Sequence, residues 1–312
     1  VAAAALALLL ALPVGAAAQG ATAARATDQL DTAESLEGNY LAAIVAGAGR
    51  DLGAASVFLR EAIKGDPQNN DLLERAFVAF LADGAMPDAF RAADKLIQRD
   101  PSNGLAQLAI GIRALKQKNY QTARNHLQRG GRGRAADITA TLLSAWSQLG
   151  SGQPTRAIET LERLRGEPSY NLFRDYHAGL ILDAAGRKTD AEKRLKSAYE
   201  SEKTTLRLVD LWARMQARHG DFDGAAATYA EFDRLLPNHP MVRDGLAKVA
   251  AKQVPPRQVA NAQQGAAEVL YGLASAGNRQ GDEAAALLYL RLAIYLDPNH
   301  DLAILTLGDI LE

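Results

Sequence analysis

Small apolar residues mark this chain at a fixed interval. Ala55, Ala89, Ala123, Ala157, Ala191 and Ala225 each stand 34 residues from the next. Around each the same order returns: an apolar stretch, a turn, a second apolar stretch that contains the alanine, and a stop. That interval suits one helix, a tight turn and a second helix. In the first unit the pattern predicts helix A over residues 32–48 and helix B over 52–64, with Asp31 and Glu34 as a capping box. Asp66-Pro67 ends it, because proline cannot continue the hydrogen-bond ladder. The second unit runs from Asp71 to Pro101 and breaks at Gly84. The third spans 103–130 and turns at Lys118-Asn119; the fourth spans 135–166 and turns at Gly150, Gly152 and Pro154. The fifth spans 170–201 with Gly186, and the sixth 204–237 with Gly220-Asp221.

The phase then slips. From Ala225 to the next alanine in register, Ala286, the interval is 61, one period plus 27. Residues 241–253 read as one amphipathic helix stopped by Val254-Pro255-Pro256. Helix A of the seventh unit then extends over 257–279. Residues 302–312 have the pattern of the first helix of an eighth unit, which would leave Ile304, Leu305, Ile310 and Leu311 exposed.

These residues resemble the tetratricopeptide repeat, whose 34-residue unit carries W-x₂-L-G-x₂-Y, A-x₃-F and a closing proline. Four residues after each alanine stand Leu59, Ala93, Leu127, Leu161, Leu195, Tyr229 and Leu290. Twelve before stand Ala43, Phe77, Gly111, Ala145, Gly179, Ala213 and Ala274. Phe77 departs from the small-residue rule, and Ala93, small where a large residue is usual, would make room for it. Pro67, Pro101, Pro237 and Pro298 close four units, and Leu307-Gly308 matches the L-G of the motif. The physical reason is that a small residue on each helix lets the two backbones cross closely. The resemblance implies an all-α, right-handed solenoid. Its expected parts are a signal peptide (1–18), a flexible linker (19–31), six repeats (32–239), an inserted helix and Pro-Pro linker (240–266), a seventh repeat (267–300) and the first helix of an eighth (301–312).

Composition narrows the function. Of 312 residues, 48% are hydrophobic but only 6% aromatic, which suits many close-packed helices. Lys and Arg number 35, Asp and Glu 36, so no basic excess favours nucleic acid. The absence of cysteine removes thiol catalysis and thiolate metal sites, and with them a lipid anchor on cysteine. The first twenty residues, VAAAALALLLALPVGAAAQG, read as the apolar region and small-residue cleavage site of a signal peptide. Pro13 and Gly15 argue against a membrane anchor, since a span needs about 20 apolar residues. The expectation is export to a periplasm or the exterior, with no integral membrane span.

No catalytic or cofactor chemistry emerges. The five histidines have no metal-ligand spacing, His239 and His300 each follow Pro-Asn in what reads as a solvated turn, and His177 beside Tyr176 reads as structural. Residues 130–134 (GGRGR) lack the ending of a phosphate loop and read as an inter-repeat turn. Asp221 and Asp223, and Asp282 and Glu283, sit where they would cap helix B. No metal and no cofactor are expected, and no enzyme.

What remains is the groove that this family lines with helix A and fills with a peptide or partner helix. In register these positions are Leu108, Ile112 and Leu115; Leu142, Trp146 and Leu149; Phe173, Tyr176 and Leu180; then Arg207, Asp210, Arg214 and Arg218. The groove is expected to be apolar in the centre and charged toward unit six, with Trp and Tyr as anchors. The same side chains would serve equally by packing on neighbouring A helices or on the 241–253 helix. Tyr40 and Ile44 stand where a chaperone-type carboxylate clamp needs polar residues, which argues against one. The implied function is a non-enzymatic scaffold of the bacterial envelope that binds a protein or peptide. The alternative is the scaffolding N-terminal part of a longer secretion, polysaccharide-export or envelope-biogenesis protein.

Overall fold

A computed structural model describes residues 30–130, 134–165 and 168–312. The expected signal peptide, most of the expected linker and part of the 130–134 turn lie outside the described residues. Among the described residues there are sixteen α-helices and no strand. They are α1 (Leu36–Ala48), α2 (Leu52–Gly65), α3 (Asn70–Asp83), α4 (Met86–Arg99), α5 (Gly104–Lys116), α6 (Tyr120–Gly130), α7 (Arg134–Gly150) and α8 (Pro154–Leu161). There follow α9 (Pro168–Ala184), α10 (Lys188–Ser201), α11 (Leu206–Arg218), α12 (Phe222–Leu235), α13 (Pro240–Ala250), α14 (Ala262–Arg279), α15 (Glu283–Leu296) and α16 (Asp301–Leu311). No described helix is long and apolar enough to cross a membrane.

Local chemistry sets the ends of these helices. Asp51, Asn69, Asn103, Asp221, Asn261 and Asp282 each accept a backbone N–H in the first turn of the helix that follows. The first helix starts at Leu36 rather than near Thr32, because Ser35 and not Asp31 supplies the cap, accepting from the Gly38 N–H at 3.0 Å.

The turn inside each unit has its own column. Arg50, Gly84, Lys118, Gly152, Gly186 and Gly220 all hold a positive φ, and each is 34 residues from the next. Glycine takes that conformation freely; Arg50 and Lys118 take it at φ of 58° and 63°. The alanine column is buried throughout, at 0–5% exposure. Gly111 faces Leu127 and Gly179 faces Leu195 so closely that a side chain on either glycine would press into its own unit's B helix. Phe77 and Ala93 are both fully enclosed in the second unit.

The turn column explains the phase slip. Lys252, after α13, has a positive φ of 52°, and Gly245 stands seven residues before it, as Ala43 does before Arg50 and Gly179 before Gly186. So α13 is a seventh A helix, packed on α12 and α11. Its B helix is missing because Val254-Pro255-Pro256 cannot form one. The chain instead runs as a segment without helix to Asn261, so α14 begins at Ala262 and not near Arg257.

The α14–α15 hairpin does not extend the stack. It folds back across the A helices, α14 against α7 and α9, α15 against α3 and α5, and α16 packs on α15 and α14. Arg291 Nε of α15 donates to the Ala82 carbonyl (2.8 Å), and Lys116 Nζ donates to the Leu296 carbonyl (2.8 Å). Ile304, Leu305 and Leu311 on α16 are exposed, whereas Ile310 is partly covered.

Candidate functional site: the face of the A helices

The A helices repeat one face from unit to unit: Leu108, Leu142 and Tyr176 share one 34-residue position, and Ile112, Trp146 and Leu180 another. With them on α5, α7 and α9 stand the other expected groove residues, Leu115, Leu149 and Phe173. All are apolar or aromatic, and the hairpin covers this face. Leu108, Ile112, Leu115, Leu142, Trp146, Tyr176 and Leu180 are buried; Leu149 and Phe173 are partly buried. Trp146 has no exposed surface at all. Gly265 of α14 lies flat against its ring, so close that a methyl group there would overlap the indole. The Trp146 indole N–H donates to His177 Nδ1 at 3.2 Å, and the Phe173 ring lies parallel to that imidazole, with centroids 6.5 Å apart. Burial pushes His177 down to about 3, so the ring is neutral at physiological pH.

Polar contacts hold α14 in register. Gln263 Nε2 donates to the Leu115 carbonyl (3.0 Å) and the Tyr120 hydroxyl (3.2 Å). Glu268, only 3% exposed, accepts from the Tyr176 hydroxyl (2.8 Å) and Arg207 Nε (3.2 Å), and Arg207 Nη2 closes on its second oxygen. A buried carboxylate of this kind costs desolvation unless it is fully paired; here three donors from two other helices meet it. His300 Nε2 also lies 3.2 Å from Glu268 Oε1, off the line of a hydrogen bond.

The arginines of unit six are engaged as well. Arg218 makes a bidentate pair with buried Asp183 (2.6 and 2.8 Å), which Arg257 approaches at 3.7 Å. Arg214 donates to the Pro256 carbonyl (3.1 Å) and lies 3.5 Å from Asp210. Asp210 accepts from the Tyr229 hydroxyl (2.7 Å), whose pKa is raised by burial and by that carboxylate.

The hairpin leaves one part of the face open. Beyond Glu268, a cavity of about 410 Å³ lies between α11, α13, the 253–258 segment, α14 and the start of α16. Arg214, Met241, Lys248, Pro256, Gln264 and His300 are among its walls. His300 corrects the expectation of a solvated turn. It is buried, and its Nδ1 accepts the Ala303 N–H to cap α16. Burial, then the Arg207 charge, lowers its pKa to about 4. His239, in the same Pro-Asn-His context, caps α13 and stays partly exposed.

Sequence reasoning missed Gln263, Gly265 and Glu268. Their signal was present: a lone glutamate and a glycine inside the helical stretch QQGAAEVL, which is apolar after its two glutamines. Either residue in a buried helix needs a specific partner.

No known family profile matches the chain, and a search of curated proteins finds no match. Among solved structures, a tetratricopeptide repeat protein from Parabacteroides merdae matches at a TM-score of 0.52 and 13% identity, over 90% of this chain and 100% of that one. The chain has the tetratricopeptide repeat fold. PilF of Pseudomonas aeruginosa is similar to this tetratricopeptide array at a TM-score of 0.44 and 19% identity, covering 68% of this chain and 97% of that one.

Proposed function

We propose that this tetratricopeptide array is a non-enzymatic protein-interaction scaffold, exported to the bacterial cell envelope. One observation carries the reading: the face of its A helices has the chemistry to hold an amphipathic helix and is holding one, its own α14. Trp146 supplies a large flat contact, and Tyr176 and Arg207 supply directional partners for a carboxylate. Such anchors dominate helix-in-groove recognition. The open cavity at unit six is where an incoming chain first meets this face. The signal-like first eighteen residues support export.

The test is capture from periplasmic extract by the full chain, followed by calorimetry with the captured protein. The comparison is a double variant of the cavity rim, Met241→Glu with Lys248→Glu. The scaffold reading expects at least tenfold weaker binding by the rim variant. Equal binding would move the contact away from this face, and no reproducible partner in any envelope fraction would sink the reading.

A further inference from the structure

The contacts of α14 are those of a ligand. Its main neighbours, besides its own hairpin partner and α16, are the A helices α7 and α9. It is held there by an amide on the Leu115 carbonyl, a bare glycine on Trp146, and a carboxylate on Tyr176 and Arg207. A separate helix could offer the same three groups at the same spacing, Gln-x-Gly-x-x-Glu. The segment joining α13 to α14 is mostly exposed, with Val259 its buried point. The seat also leaves space beside it. An open, mostly apolar pocket of about 110 Å³ lies between Phe173, Leu208, Tyr271 and Gly272, with Arg207, Glu268 and Arg279 also on its walls. Ser275 Oγ, on the same wall, is buried without a hydrogen-bond partner. An unsatisfied polar atom and an unfilled apolar pocket are features that a better-fitting helix would remove.

We propose that α14 is a resident ligand of the groove, and that the partner is an amphipathic helix carrying a small residue for Trp146 and a carboxylate for Arg207 and Tyr176, which takes its place. This rests on the scaffold reading and specifies it. Because the resident helix is tethered, the partner meets a groove that is empty only part of the time, so its apparent affinity is reduced by that fraction. Anything that loosens α14 strengthens partner binding, even though it adds no contact.

The experiment uses a fluorescently labelled peptide with the sequence of residues 261–279, titrated against the full chain. The parent is expected to bind weakly and the full-chain Glu268→Ala variant about tenfold or more tightly, because its own helix has lost its hold. A second peptide carrying Glu268→Ala should lose that gain. A parallel preparation guards against misfolding of the variant: a protease site placed in the exposed 253–257 segment is cut after purification, and removal of the tether should raise peptide binding by a similar factor. Peptide affinity that is the same for parent, folded variant and cut protein would overturn the proposal, as would equal binding by the peptide without the glutamate. A captured partner that binds the rim but does not compete with the 261–279 peptide would also overturn it, while leaving the scaffold reading intact.

Discussion

Gly265→Ala tests the seating of α14 through a reversal of sign. In a helix interior, replacing glycine by alanine ordinarily stabilises by about 0.5–1 kcal/mol, because alanine loses less backbone freedom on folding. Here the added methyl overlaps the Trp146 ring, which is fully enclosed and has no free space to move into. Overpacking of that kind costs about 1–3 kcal/mol, so the single substitution should destabilise by about 1–2 kcal/mol net. Trp146→Ala alone should cost about 3–5 kcal/mol as a large fully buried side chain. With the indole gone, however, Gly265→Ala meets no ring and should recover its ordinary gain. The two positions should therefore couple by about 2–3 kcal/mol. The assay is urea denaturation of the four proteins followed by far-ultraviolet circular dichroism, comparing midpoints at constant slope. If Gly265→Ala has the same sign and size with and without Trp146, α14 does not lie on that tryptophan.

Other expectations follow from the same contacts. Glu268→Ala should destabilise by about 1–3 kcal/mol, because it deprives the partly buried Arg207 and the buried Tyr176 hydroxyl of their acceptor and loosens α14; the denaturation midpoint reads it. Stability should fall on acidification from about pH 6.5 toward 4, because the unfolded chain protonates His177 and His300 near 6.5 while the folded chain resists until about 3 and about 4. The slope is at most about 1.4 kcal/mol per pH unit for each histidine, and His300→Asn, which keeps a cap acceptor, should remove one share. Gly152→Ala should cost about 1–2 kcal/mol at its left-handed turn, whereas Lys118→Gly at the equivalent turn should change stability by less than about 1 kcal/mol; thermal melts of both variants check this.

Much of this architecture was legible as spacing. The alanines and the small residues twelve before them report a packing requirement within one unit, and such a requirement survives in any sequence that meets it. What spacing could not convey was direction. The slip between Ala225 and Ala286 looked like an insertion, and Gly245 with Lys252 shows it to be an A helix deprived of its B helix. Once Pro255-Pro256 ended the unit, the next hairpin was free to go elsewhere, and only tertiary packing decided where. The same holds at single residues. Pro-Asn-His occurs before α13 and before α16, yet His239 stays partly exposed while His300 is buried beside Glu268. The apolar face of α5, α7 and α9 was readable from register, but the helix that covers it lies far along the chain, and no local pattern pairs Trp146 with Gly265.

The cysteine-free chain allows that placement to be measured with two engineered thiols. Arg50 at the first turn and Glu283 at the start of α15 are both exposed and form an ion pair at 3.4 Å. The double variant Arg50→Cys and Glu283→Cys, treated with a short thiol-specific cross-linker at low protein concentration, should give an intrachain cross-linked monomer in high yield, located by peptide mass spectrometry. A hairpin stacked in line after α13 would hold these positions at opposite ends of the array, and the absence of any intrachain product in the folded protein would contradict a groove filled by its own C-terminal hairpin.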